Sequence, residues 1–123
     1  MAMGRVDLRL RKGSTFRQVF PLSSPLDPAQ WSARGQVRLS PSSPVLHTWD
    51  ATLETVAQAV LVAAGWPATA DTQCLVLTVP ASVSSAWTWP EALYDVELFT
   101  AGDAAVVPAL AGHLFIDPEV TTP

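Results

Sequence analysis

Val6, Leu8 and Leu10 alternate with Arg5, Asp7, Arg9 and Arg11 at the start of the chain. A period of two gives a strand one apolar and one wetted face. Lys12-Gly13-Ser14 predicts a turn, and a looser alternation resumes over residues 15–22. There Phe16, Gln18 and Phe20 share a face, while Val19 falls on the polar side with Arg17. Pro21, Pro25 and Pro28 break the ladder, because proline has no N–H to donate, and 23–28 reads as a loop. Trp31 to Leu39 is the next strand, and Ser40 to Pro44 is a second proline loop.

The middle of the chain is ambiguous. Leu53, Val56, Ala57, Val60 and Leu61 have helical spacing, yet 52–56 and 59–63 also read as two arms of a hairpin. Short strands on both sides favour the hairpin. After Gly65-Trp66-Pro67, the run Gln73 to Val79 is apolar enough to be buried on both faces, and Pro80 stops it. Residues 82–92 are rich in Ser and Trp with Pro90 inside, which leaves room for a helical turn or two. Leu93 to Thr100 is again a strand, with Tyr94, Val96, Leu98 and Thr100 on one face and Leu93, Asp95, Glu97 and Phe99 on the other. A turn at Ala101-Gly102-Asp103, a strand broken at Pro108 and a last run over 112–116 predict a terminal hairpin or meander. The expectation is a single domain over residues 1–123, all-β: an antiparallel β-sandwich of seven to eight strands with at most one short helical segment.

Composition adds that a core can be built. Of the 123 residues, 49% are apolar and 15% charged, which excludes a charge-rich disordered tail. The longest nearly unbroken apolar stretch, Ala57 to Trp66, is about half of the roughly 20 residues that span a bilayer. No apolar segment follows the N-terminal Met, so no secretory signal is visible. Cys74, the single cysteine, cannot form an internal disulfide.

Charge is unevenly placed. All seven basic residues lie within the first 38 positions beside only Asp7 and Asp27, whereas nine acidic residues and no basic one follow from Leu39 onward. Five net positive charges over that length make a weak footprint for phosphate, so nucleic acid is not the expected partner. Basic strands beside acidic strands within one sheet is the simplest reading. Basic faces meeting acidic faces of neighbouring subunits is the alternative.

Chemistry is sparse. Cys74 lies in an apolar strand, where burial makes a thiol inert, and neither it nor His47 and His113 has ligand-like spacing for a metal. The pairs Asp95/Glu97 and Asp117/Glu119 read as solvated faces rather than acid–base machinery. No phosphate loop or nucleophile elbow occurs. The expectation is no enzyme, no catalytic residue, no metal and no cofactor. Five tryptophans stand out: Trp31 fits a strand face, and Trp49, Trp66, Trp87 and Trp89 lie beside loops. Loop-borne tryptophans anchor partners, so these four, together with Arg5, Arg9 and Arg11, are the candidate interface residues.

The order of these segments resembles small structural proteins of tailed bacteriophages. The resemblance rests on the turn Lys12-Gly13-Ser14-Thr15-Phe16-Arg17, the strand Trp31-Ser32-Ala33-Arg34-Gly35-Gln36-Val37-Arg38 and the strand Leu93-Tyr94-Asp95-Val96-Glu97-Leu98. It is completed by 109–116 with the closing Glu119-Val120-Thr121. The group is similar to the immunoglobulin-like N-terminal domain of baseplate upper proteins, which docks receptor-binding fibres onto tails. The resemblance implies an immunoglobulin-like sandwich in the virion, made in the host cytoplasm and acting as an adaptor in the tail, neck or fibre-attachment region. Its implied partners are other virion proteins and copies of itself, with no membrane and no small-molecule substrate. A chain ending at Pro123 favours adaptor, collar or decoration over host recognition. The alternatives are a capsid decoration protein and a carbohydrate-binding module stacking sugars on Trp87 and Trp89.

Overall fold

The opening alternation folds as one interrupted edge strand, β1 (Gly4–Arg5) and β2 (Leu8–Arg11), with Leu8 and Leu10 buried and Arg9 and Arg11 exposed. The computed structural model describes residues 4–119. Among these, seven further strands follow: β3 (Phe16–Pro21), β4 (Trp31–Arg38), β5 (Val45–Thr48), β6 (Asp50–Val56), β7 (Thr72–Val79), β8 (Glu91–Thr100) and β9 (Val106–Asp117). They form a six-stranded sheet, ordered β1-β9-β8-β4-β5 with β2 also on β9, and a three-stranded sheet ordered β3-β7-β6. The inner faces share one core, in which Leu10, Val96, Leu98 and Leu114 of the larger sheet meet Leu75, Leu77 and Val79 of the smaller. The chain is an all-β sandwich.

Two details depart from the expectation, each for a local reason. The sheet is not purely antiparallel: β1 and β2 run parallel to β9, in one unbroken register from Gly4↔Leu110 to Arg11↔Asp117. At Val6 and Asp7 that ladder is interrupted, and the Val6 carbonyl leans over Gly112, where a side chain would collide with it. The Tyr94 hydroxyl donates to the same carbonyl. Pro108 does not break the last strand; it sits opposite Glu97 at a register shift in the β8–β9 ladder, where its missing N–H is tolerated.

Helix is also more abundant than one segment. The hairpin expected over 52–63 is half right: β6 covers its first arm, but the second is helix α1 (Gln58–Ala63). Leu61 of α1 is fully buried with Val19, Val56, Cys74 and Val76, a second cluster on the far side of the smaller sheet. That cover explains why Val19 broke the alternation and why β7 is apolar on both faces. A helical turn, α2 (Ala81–Ser84), stands where the Ser/Trp-rich segment predicted one, and a 3-10 turn spans Ala101–Asp103. Ser84 of α2 is fully buried; its hydroxyl accepts from the Gly13 N–H at 3.0 Å and donates to the Ala81 carbonyl.

Candidate functional site

Every second residue of the larger sheet points away from the core, and the register sets these residues in rows across the strands. One row runs Arg5, Ala111, Asp95, Gln36 and Thr48. The rows beside it run His113, Leu93, Arg38 and Pro108, Glu97, Arg34. Small residues at Ala111 and Gly112 keep the floor low, and the loop after β4 raises a wall at Ser40 and Pro41. The result is a depression of about 370 Å³ whose rim carries Arg5 and Arg38. Asp95 borders it and two neighbouring depressions of about 310 and 270 Å³.

The basic residues of this face differ in how far they are satisfied. Arg34 donates through Nε to Glu97 at 2.6 Å and through both terminal nitrogens to Asp103 at 3.1 Å, and it lies 4.2 Å over the Phe99 ring. The hydrogen bonds it donates to Asp103, and then to Glu97, hold its pKa above the ordinary arginine value. Asp103, at the end of the turn Ala101–Asp103, has a left-handed backbone (φ 55°). Arg9 pairs with Asp117 and covers Phe115, while Phe115 stacks on His113 and His113 bonds Glu91 at 2.8 Å. Arg5 meets Asp7 only at 3.6 Å. Arg38 is different: its guanidinium donates to the Ser43 carbonyl at 2.6 Å and to Gln36 at 2.9 Å, and both acceptors are neutral. Among the described residues no carboxylate lies within ion-pair distance of it.

Arg5, Arg9 and Arg11 therefore do line up, on the outer face along one edge of the larger sheet. The pairs Arg9–Asp117 and Arg34–Glu97 join basic strands to acidic neighbours, as intrachain charge pairing predicts. The tryptophans are not brought to that face. Trp49 is 4% exposed and Trp87 8%, so both are core residues rather than surface anchors. Trp49 crosses between the sheets over Gly35, and its indole meets Tyr94 edge-on at 5.8 Å. Trp87 is enclosed by His47 at 5.1 Å and by Trp89, stacked on it at 4.6 Å. Only Trp89 keeps a partly open face, so a two-ring sugar platform is not presented. Trp66 is half-buried against both clusters, and Trp31 is half-buried against the main one.

Residues that sequence reasoning did not single out are Arg38, Ser40 and Pro41, and Asp95 reads there only as part of a solvated face with Glu97. Alternation already put Asp95 and Arg38 on outer faces, but nothing local says that β4 lies beside β8. His47 is a second unforeseen feature. It faces inward from β5, its ring Nε2 and the Trp49 indole N–H are both buried without a partner, and burial lowers its pKa. Among the described residues no cluster of three His, Cys, Asp or Glu could hold a metal ion, and no helix is long and apolar enough to cross a membrane. Cys74 is fully buried, and burial pushes its thiol pKa up. No protein-family model matches the chain, and no curated protein sequence matches it.

Proposed function

We propose that this chain is a non-enzymatic structural protein of a tailed-phage particle. It acts as an adaptor in the tail, neck or fibre-docking region and binds its neighbours through the outer face of the larger sheet. The resemblance of its strand motifs to baseplate-type domains supplies the class. The observation that carries the docking role is the face itself: charges of both signs fixed in register around a depression, on a rigid scaffold. Such an array gives register and partner choice more than raw affinity, because rim charges steer encounter and penalise wrong partners. The mechanism is binding alone, to other virion proteins and to copies of this chain.

The test is quantitative mass spectrometry of purified particles, counting this chain against the major capsid protein. A few copies per particle, in a multiple of the tail's symmetry, is the expected result. Hundreds of copies would make it a capsid decoration protein instead. Absence from the particle would overturn the virion reading altogether.

A further inference from the structure

The basic groups of the outer face fall into two classes, those neutralised within the chain and those only held in place. Arg34 and Arg9 belong to the first class. Arg38 belongs to the second: two neutral acceptors fix its plane while leaving its charge uncompensated, and it is half-buried in the rim of the depression of about 370 Å³. A guanidinium oriented in this way has already lost most of its rotamer freedom, so a carboxylate arriving there gains a charge-assisted bond at little further entropic cost. Arg5, on the opposite rim, is only loosely paired and supplies a second positive group. Between them, the Leu93 side chain and Pro41 offer apolar surface to an aliphatic stem, and Ser40 offers a hydroxyl.

We propose that this depression is a carboxylate-binding site, and that its occupant is an acidic side chain on an extended peptide segment of a neighbouring protein. The carboxylate sits on Arg38 with Arg5 as the second arm, and its methylenes lie against Leu93 and Pro41. Asp95 limits the affinity, because it is the one acidic group in the lining and faces the incoming charge. Charge complementarity selects the ligand: among the described residues Arg38 has no carboxylate within ion-pair distance, and Arg5 meets Asp7 only at 3.6 Å. This site deepens the docking role proposed above, yet it is tested without the particle.

The probe is an acetylated, amidated tripeptide with glutamate at its centre, titrated into the ¹⁵N-labelled protein and followed by backbone and arginine Nε–H shifts. Shifts at Arg38, Ser40, Ala111 and Gly112 are expected with the glutamate peptide and not with its glutamine twin. Arg38→Gln should weaken binding about tenfold, the scale of one charge-assisted contact. Asp95→Asn should tighten it several-fold, a gain that misfolding cannot imitate. Arg17→Gln, on the smaller sheet and away from the depression, should leave it unchanged. Equal responses to the two peptides, or no tightening in Asp95→Asn, would overturn the site. Tighter binding of glucuronate than of the glutamate peptide would overturn the peptide as its occupant. A site that fails in a chain present in particles sinks only this inference; a site that binds in a chain absent from particles sinks only the virion reading.

Discussion

Single residues decide two properties of this protein, its tolerance of acid and the closeness of its strands. His47 lies against Trp49 and Trp87 with its Nε2 buried and unpartnered, and burial lowers its pKa. The unfolded imidazole, near its ordinary value of about 6.5, takes up a proton that the buried ring refuses. His47 therefore favours the folded state fully above that pH, and the benefit is lost as pH falls below it toward the lower folded value. Denaturant melts between pH 5 and 8 should show an acid-side loss of stability that His47→Phe flattens. Tyr94 works at the other end of the scale. Burial, reinforced by Asp7, pushes its hydroxyl up to about 12, so its contribution is complete below the ordinary tyrosine range and lost as pH rises through the folded value. Gly112 matters by what it lacks, since an added methyl would strike the Val6 carbonyl, which is backbone and cannot swing aside, as well as the Asp7 carboxylate. Gly112→Ala should cost on the order of 2–3 kcal/mol and Tyr94→Phe about 1 kcal/mol, both measurable by urea unfolding. The larger loss belongs to the glycine.

At the scale of elements, short helices serve as plugs and ties. Leu61 projects from α1 into the outer side of the smaller sheet, and Leu61→Ala should cost about 2–5 kcal/mol in a chemical melt. Ser84 ties α2 to the turn between β2 and β3 through the Gly13 N–H, so Ser84→Ala leaves a part-buried donor without its partner and should cost about 1 kcal/mol. Amide exchange at Gly13 should accelerate in that variant. The strands themselves were legible from the chain, because β2, β4 and β8 each expose one face and a period of two survives in them. What escaped was set by distant partners. Ala57, before α1, has no side chain to cap it, and the Gln58 N–H is taken up instead by the distant Asp71 carboxylate at 3.0 Å. The segment therefore reads as well for strand as for helix until β7 is known to need a cover. Pro108 looks like a break until a register shift in β8 is seen opposite it. For the candidate site, alternation placed Arg5, Arg38 and Asp95 on wet faces but could not bring β1 and β4 to the two sides of β9 and β8. The loop-side tryptophans failed for the opposite reason: adjacency to a turn says nothing about which way an indole points.

The whole molecule is a ladder of long-range pairings in which the first and last strands are neighbours. Strand exchange with distant segments makes such topologies slow to fold, because loop closure precedes most of the stabilising contacts. Exposed ion pairs such as Arg9–Asp117 and Arg17–Glu54 contribute little net stability, so added salt should leave the unfolding midpoint nearly unchanged. The parallel pairing of β1 and β2 with β9 has a mechanical consequence. The ladder begins at Gly4↔Leu110 and ends at Arg11↔Asp117, so the first strand enters at one end of the pair and the last leaves at the other. Opposed tension applied at Gly4 and Asp117 loads the rungs together, in shear, instead of peeling them one at a time. A module loaded that way resists stretching until the whole ladder gives at once, and it would transmit a pull along the strands as a stiff link.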